Sequence, residues 1–168
     1  MSCFLIAPLH LHAGTLALSP LPREADDLRA VADFAPALVV SMTEADEMVM
    51  LGAGGLPDWL AAQGIAWVHF PIPDYGLPPD GADWPALSAQ ATAVLRTGGR
   101  VLVHCRGGLG RSGLVALRLM VEAGEAPEAA LARLRAARPG AVETPAQLSW
   151  ASAGAARIKA AGKPRRPA

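Results

Sequence analysis

Cys105 and Arg111 stand six positions apart in a glycine-rich stretch that follows a short apolar run. A cysteine thiolate is a strong nucleophile, and the planar guanidinium of arginine can hold two phosphate oxygens at once, which lysine cannot reproduce. Consecutive N–H groups in a tight turn, together with the N-terminal end of a helix, bind anions. The same electrostatic field favours the thiolate form of a cysteine. The pattern therefore predicts a nucleophile and a phosphate site within one loop.

The backbone between these two residues is predicted to supply most of the phosphate contacts. The residues that we expect to bind phosphate are Arg106, Gly107, Gly108, Leu109, Gly110 and Arg111. Glycines can adopt a positive φ or approach a ligand closely, because they carry no Cβ. We expect Arg106 to turn its amide inward and its charge outward, where the charge favours anionic substrates. Ser112 is either a routine helix cap or a hydrogen-bond donor to the Cys105 sulfur.

This stretch resembles three other glycine-rich motifs, but it lacks an essential element of each one. Gly108–Gly113 fits the dinucleotide-binding pattern G-x-G-x-x-G, but a helical pattern follows where that fold needs a second strand and an acidic residue about 20 positions on. A nucleotide-binding P-loop requires Lys where Arg111 stands and Gly where Cys105 stands. The serine-hydrolase elbow requires Gly where Leu114 stands. The sequence therefore does not support these three classes.

The elements that must position the loop alternate between strand and helix patterns, and only helices follow the loop. The predicted strands are Phe4–Leu9, Gly14–Leu18, Ala37–Met42, Ile65–Ile72 and Arg100–His104. The predicted helices are Glu24–Phe34, Glu44–Met50, Pro57–Gln63, the segment from Asp83 to Leu95, Leu114–Glu122, Pro127–Ala137 and Ala146–Lys159. This order predicts an α/β fold with a mostly parallel central sheet flanked by helices.

Length and charge limit the classes of function. The 168 residues suit one domain, which we expect to span residues 1–156, with a basic, solvated tail over residues 157–168. The formal net charge is zero, which gives no general attraction to nucleic acid or to an anionic membrane. No apolar stretch approaches the ~20 residues that a bilayer requires. We expect a cytoplasmic monomer, and the arginine-rich composition without asparagine indicates a bacterial genome.

The cysteine and histidine spacings indicate neither a metal site nor a disulfide framework. Cys3 and Cys105 are far apart, and no Cys and His cluster has the spacing of a zinc site. We interpret Cys3 as an inert apolar residue, with a redox partnership to Cys105 as the lesser alternative. His10 and His12 share one face of an extended segment, but no third ligand stands near them. We predict no metal and no cofactor.

The segment His104–Ser112 resembles the signature of the protein tyrosine phosphatase superfamily, His-Cys-x-x-Gly-x-x-Arg-Ser. It is most similar to the small dual-specificity branch, particularly the cyclin-dependent kinase-associated phosphatase type. Pro71–Pro78 resembles the general-acid loop of that family, Arg138–Gln147 its closing segment, and Val39–Glu44 its strand that ends in a Glu-bearing loop. The resemblance spans roughly residues 37–150 and implies a protein tyrosine phosphatase-like fold.

The resemblance implies hydrolysis of phosphate monoesters through a cysteinyl-phosphate, without a metal. Cys105 would be the nucleophile, and Arg111 would hold the phosphate in the transition state. Asp74 would be the general acid, although Asp80 and Asp83 are rivals that a turn and a helix cap also explain. The remaining implied roles belong to Ser112, which would ease departure of the sulfur, Gln147, which would position the hydrolytic water, and His104, which would brace the loop.

The substrate that we expect is a phosphoprotein, with phosphotyrosine ahead of phosphoserine and phosphothreonine. A phosphoinositide or another small phosphate ester is the enzymatic alternative, against which the single extra charge of Arg106 argues mildly. A module that recognises phosphate without turnover is the alternative from another class. A sulfur transferase and an arsenate reductase also use a cysteine and an anion loop, but the reductase needs a second cysteine nearby.

Overall fold

The computed structural model describes residues 4–155, in which a five-stranded sheet lies between two layers of helices. The strands are β1 (Ala7–Leu11), β2 (Gly14–Ser19), β3 (Leu38–Ser41), β4 (Ala66–His69) and β5 (Arg100–His104). Their order in the sheet is β1-β2-β5-β3-β4, and only the β1–β2 pair is antiparallel. The prediction of a mostly parallel sheet flanked by helices is confirmed.

The described part of the chain contains seven helices, of which several begin at recognisable start signals. They are α1 (Ala25–Phe34), α2 (Ala45–Met50), α3 (Leu56–Ala62), α4 (Trp84–Arg96), α5 (Gly110–Glu122), α6 (Pro127–Ala137) and α7 (Pro145–Ser152). Asp83 caps α4 by accepting a hydrogen bond from the Ala86 N–H, as its position predicted. Thr144 and Gln147 form a reciprocal capping box at the start of α7.

The three central strands, β2, β3 and β5, bury both of their faces, which explains why their sequences are nearly continuous apolar runs. Val39 and Leu102 face the layer of α1, α2 and α3. Val40 and Val103 face the opposite layer, which contains α4, α5, α6 and α7. Successive residues of a strand pack into opposite clusters of the core. This packing on both faces holds the sheet, and therefore the ends of its strands, in position. The carboxyl ends of the four parallel strands lie along one edge of the sheet, and the connecting loops meet there.

Several boundaries differ from the predicted ones. Helix α5 begins at Gly110 rather than at Leu114, so Arg111 and Ser112 lie in its first turn. Strand β4 ends at His69, before the proline-rich segment that begins at Pro71. The predicted end of the last helix at Lys159, the basic tail over residues 157–168, and Cys3 lie outside the described residues. Within residues 4–155, no helix is both long enough and apolar enough to cross a bilayer.

Candidate active site

The loop that follows β5, residues 105–111, forms the floor of a cavity of about 360 Å³ at the carboxyl edge of the sheet. Asp74, Tyr75 and Glu143 complete its walls. The Cys105 side chain is buried at the base of this loop, and its Sγ atom lies 3.4 Å from the Ser112 Oγ atom. The structure thus brings together the predicted nucleophile, the predicted anion loop and the hydroxyl that follows the arginine.

The carbonyl oxygens of residues 106–109 point away from the cavity, and each one accepts a hydrogen bond. The Leu21 N–H donates to the first at 3.2 Å, the Arg138 guanidinium donates to the next two at 2.8 and 3.0 Å, and the Val142 N–H donates to the last at 3.1 Å. Within residues 4–155, by contrast, no protein acceptor receives the N–H groups of residues 106–111. The loop therefore directs its donors inward, as anion binding requires.

Two glycines allow the loop to lie against its neighbours. Gly108 has φ +69°, and a Cβ atom there would lie 2.5 Å from the Ser19 carbonyl carbon. A Cβ atom at Gly110 would lie 2.1 Å from Glu143 Oε2, which shows that this carboxylate rests on the start of α5. Any side chain at either position would displace the loop or the carboxylate.

Arg111 is almost completely buried and is held by Glu47 of α2 through two parallel hydrogen bonds of 2.7 and 2.9 Å. Its Nη1 atom also donates to the Ile72 carbonyl at 3.1 Å. The hydrogen bonds from Arg111 lower the pKa of the Glu47 carboxyl below its usual value. Burial works to lower the pKa of Arg111, but Glu47, together with the nearby Cys105 and Asp74, raises it overall. The guanidinium is thus a fixed cation in the cavity wall.

Asp74 is the one of the three rival aspartates that reaches this cavity. Its Oδ1 atom lies 3.3 Å from Arg111 Nη2, and its side chain is 49% exposed. Asp80 and Asp83 line a separate, mostly apolar cavity of about 450 Å³ beside the start of α4, which contains neither Cys105 nor Arg111. The larger of the two cavities therefore lacks both the predicted nucleophile and the predicted phosphate-binding arginine.

His104 is fully buried directly before Cys105 and ends a chain of hydrogen bonds. Trp67 Nε1 donates to Ser41 Oγ at 2.8 Å, and Ser41 Oγ lies 2.6 Å from His104 Nε2. The other ring nitrogen, Nδ1, has no hydrogen-bond partner of normal geometry within the described residues. Burial lowers the pKa of His104 to about 3, so the ring is neutral at physiological pH. This residue links the end of β5 to β3 and β4 and does not carry a charge.

Gln147 is buried beside the cavity but does not line it. Its side-chain oxygen accepts hydrogen bonds from the Glu143 and Thr144 N–H groups, and its nitrogen donates to the Gly76 carbonyl. The side chain predicted to position a hydrolytic water is thus committed to backbone groups.

Four residues of the site escaped the sequence interpretation: Glu47, Tyr75, Arg138 and Glu143. The Glu-bearing loop was placed at Glu44, which instead occupies the N-cap position of α2 without a side-chain capping hydrogen bond. The partner of Arg111, Glu47, stands one helical turn later. Helical spacing after Glu44 was the signal available for Glu47. Glu143 stands four residues before Gln147 in a segment already singled out. Nothing in the sequence marks Arg138 as a brace of a loop 30 residues away.

Comparison with known proteins agrees with this geometry. A family model described as "PTP-SAK: Swiss Army Knife protein, DSP-PTPase phosphatase domain" matches residues 9–150. The cyclin-dependent kinase inhibitor 3 of Rattus norvegicus is 39% identical over 98 residues, which cover 56% of this chain and 46% of the relative. The chain thus spans less than half the length of the curated relatives that it matches.

Two solved structures show the same architecture over nearly the whole chain. Kinase associated phosphatase, in a form whose catalytic-site cysteine is replaced by serine, superposes with a TM-score of 0.80 at 26% identity, covering 96% of this chain and 98% of that one. Tk-PTP in its active form gives a TM-score of 0.70 at 34% identity, covering 85% and 92% respectively.

Proposed function

The chain belongs to the PTP-SAK family of DSP-PTPase phosphatase domains, and from this premise we propose that it hydrolyses phosphate monoesters through a cysteinyl-phosphate on Cys105. The observation that carries the proposal is the 105–111 loop, whose N–H groups have no protein acceptor in the described chain. These donors surround the buried thiol and lie beside a fixed guanidinium. A phosphate group supplies the acceptors that such a loop lacks.

In the first step, the Cys105 thiolate attacks phosphorus, an S–P bond forms, and the P–O ester bond breaks. Glu47 and Ile72 occupy three N–H groups of Arg111, so its Nε–H and one Nη2–H remain for phosphate oxygens. Asp74 gives up its contact with Nη2 when phosphate binds. Its carboxyl group then protonates the departing ester oxygen.

In the second step, water attacks the cysteinyl-phosphate, the S–P bond breaks, and the thiolate leaves with the bonding electrons. The proton from water passes to a phosphoryl oxygen, inorganic phosphate departs, and Asp74 regains its proton from solvent. The Ser112 hydroxyl, 3.4 Å from the sulfur, donates a hydrogen bond that stabilises the departing thiolate. Every step uses residues that line or adjoin one cavity, and no metal takes part.

We propose a phosphoprotein substrate, with phosphotyrosine ahead of phosphoserine and phosphothreonine. The similarity to kinase associated phosphatase supports a phosphoprotein. Asp74 and Glu143 in the cavity wall disfavour polyanionic ligands, which weighs against a phosphoinositide. A bacterial origin, a cytoplasmic location and a monomeric state stay predictions from composition.

The test is phosphate release from a phosphotyrosine peptide, with a chelator present and without added metal. Cys105→Ser should abolish turnover, whereas the matched variant Cys3→Ser should retain it. Turnover that survives Cys105→Ser would exclude the cysteinyl-phosphate. If the folded wild-type protein is inert toward phosphotyrosine and phosphothreonine peptides and a phosphoinositide, the protein is a phosphate-recognising module without turnover.

A further inference from the structure

The side chain of Gln147 connects two segments that meet at the mouth of the cavity. Its Oε1 atom accepts hydrogen bonds from the Glu143 N–H at 3.0 Å and the Thr144 N–H at 3.3 Å. Its Nε2 atom donates to the Gly76 carbonyl at 3.3 Å. The side chain is fully buried. The amide oxygen is therefore hydrogen-bonded to the backbone at the start of α7. The amide nitrogen is hydrogen-bonded to the loop of residues 71–79, which carries Asp74.

The turn that presents Asp74 is tight and contains a strained residue. Tyr75 has φ +57°, a conformation that costs a non-glycine residue of order 1 kcal/mol or more. The Gly76 N–H donates to the Pro73 carbonyl at 2.8 Å, and a Cβ atom on Gly76 would lie 2.9 Å from that same oxygen. Such a turn persists only where its surroundings hold it.

Two side chains hold this turn from opposite ends. Arg111 donates to the Ile72 carbonyl before the turn, and Gln147 donates to the Gly76 carbonyl after it. Asp74 lies between these two anchors, with its carboxylate beside Arg111. Loss of the second anchor would free the half of the turn that follows Asp74, while the capping of α7 depends on the other end of the amide.

We propose that Gln147 is a positioning residue for proton donation: it latches the 71–79 loop so that Asp74 stays over Cys105. This inference rests on the proposed phosphatase activity and replaces the water-positioning role that the family resemblance implied. Gln147 acts through Asp74 and touches no reacting atom. Its loss affects the step in which the ester oxygen leaves, and not the hydrolysis of the cysteinyl-phosphate.

The variant Gln147→Glu separates the two ends of the side chain. Glutamate at this helix position still completes a capping box, but as a carboxylate it offers no N–H to Gly76. We expect turnover of a phosphothreonine peptide, a poor leaving group, to fall by about tenfold, since general acid catalysis contributes about 10²–10⁴. Turnover of p-nitrophenyl phosphate should fall by less than about threefold, because p-nitrophenolate leaves without a proton.

Three readouts decide the proposal. A pre-steady-state burst of p-nitrophenol that appears in Gln147→Glu but not in the wild type would overturn it, because such a difference means that hydrolysis of the intermediate has slowed relative to its formation. An equal loss on both substrates, with a lowered thermal midpoint, would also overturn it as a purely structural effect. In an Asp74→Asn background, the added effect of Gln147→Glu on the phosphothreonine peptide should vanish, and a persistent effect would contradict action through Asp74.

Two further measurements keep the test independent of folding and of the proposed function. If the glutamate variant does not fold, Gln147→Met, of similar length, should give the same leaving-group pattern with a lower thermal midpoint, and its absence would overturn the proposal. Hydrogen exchange at the Gly76 amide should accelerate in the folded variant. That acceleration is expected even if the wild-type protein shows no turnover. Absence of turnover would contradict the proposed phosphatase function but not the anchoring of the loop by the hydrogen bond from Gln147 to Gly76.

Discussion

Helix α5 carries two buried arginines, Arg111 in its first turn and Arg118 two turns further on, and their surroundings differ. Each is paired with a glutamate, Arg111 with Glu47 of α2 and Arg118 with Glu122 of its own helix. Both side chains are less than a tenth exposed. Residue type, helix and burial are thus the same at the two sites, so any difference in role comes from the remaining neighbours.

Arg118 belongs to a cluster of aromatic and polar side chains from three helices. Its guanidinium lies 4.8 Å from the ring centroid of Trp150 and 5.9 Å from that of Trp84. Glu122 accepts hydrogen bonds from Arg118, Trp84 and Ser88. Burial opposes ionisation of Glu122, but these hydrogen bonds lower its pKa overall. The cluster ties α4, α5 and α7 together, and its donors and acceptors are directed at each other.

Arg111 is fixed along one edge only. Glu47 and Ile72 hold that edge, whereas Nη2 also faces the half-exposed Asp74 across the cavity. The adjacent loop adds N–H groups that have no protein acceptor within the described residues. The comparison teaches that a buried arginine serves the fold where its neighbours satisfy one another. It serves a ligand where hydrogen-bonding capacity is left over and directed at a cavity.

Replacing the two arginines separately is the most direct test of this distinction between them. For Arg111→Lys we expect kcat/KM on a phosphotyrosine peptide to fall by about 10²–10³, because lysine cannot present two parallel donors. The free energy of unfolding should change little, since the positive charge beside Glu47 is kept. Steady-state kinetics and urea unfolding measure the two quantities. Near-wild-type activity would mean that the leftover donors of Arg111 have no function.

For Arg118→Met we expect the opposite pattern. The free energy of unfolding should fall by about 2 kcal/mol, because the partly buried Glu122 carboxylate loses a charged hydrogen-bond donor. The kcat value should stay close to that of the wild type. Urea midpoints are compared with those of Arg133→Met, whose pair with Glu125 lies nearer the surface and whose loss should cost about 0–1 kcal/mol. An equal effect in both variants would remove the distinction between the cluster around Arg118 and a surface pair.

The pH dependence of the free energy of unfolding should next distinguish the surroundings of Arg111, which include His104, from those of Arg118. Burial lowers the pKa of His104, beside Arg111, to about 3, so folding favours the neutral ring. This stabilisation is complete above about pH 6.5 and is lost as the pH falls toward 3, at up to about 1.4 kcal/mol per pH unit. Urea midpoints should therefore fall between pH 6.5 and 5, before the lowered pKa values of Glu47 and Glu122 come into range.

The controls for this pH effect use substitutions at each end. His104→Gln should flatten the dependence between pH 6.5 and 5, whereas His10→Gln, at an exposed position, should leave it unchanged. Arg118→Met should keep the wild-type slope, because Arg118 has no histidine among its hydrogen-bonded partners within residues 4–155. A slope that survives His104→Gln would assign the effect to another group.

The smallest expected effect concerns Glu143 in the cavity wall. Glu143→Gln removes a negative charge close to the bound phosphate and should lower the inhibition constant of inorganic phosphate by roughly fivefold. The difference should shrink at high ionic strength, where salt screens the charge. Glu128→Gln, an exposed change on α6, is the matched control. An unchanged constant would show that the carboxylate turns away when phosphate binds.

The sequence predicted most of the fold and the local part of the site, because both depend on short-range patterns. Buried parallel strands appear as continuous apolar runs, and Cys105 and Arg111 lie in one loop. The long-range partners were not predictable from one chain. Glu47 is 64 residues from Arg111, and whether they meet depends on the order of strands in the sheet. Asp74 was chosen over Asp80 by resemblance.

Gln147 illustrates a second limit of the sequence. Its place in the closing segment was apparent, and its spacing from Thr144 is typical of a capping box. The Gly76 carbonyl that its nitrogen meets is 71 residues away and belongs to the backbone, which leaves no mark in side-chain types. The sequence can indicate that a residue adjoins a site, but the direction of each amide group depends on how the loops pack.

The outward hydrogen bonds of the 105–111 loop also order events during synthesis of the chain. Arg138, which holds the Gly107 carbonyl, is translated 31 residues after it. At about 5–20 residues per second, this interval lasts about 2–6 s. During that time the nascent loop lacks the contacts that turn its N–H groups toward the cysteine. The loop therefore acquires the outward hydrogen bonds from Arg138 only after α6 has been translated.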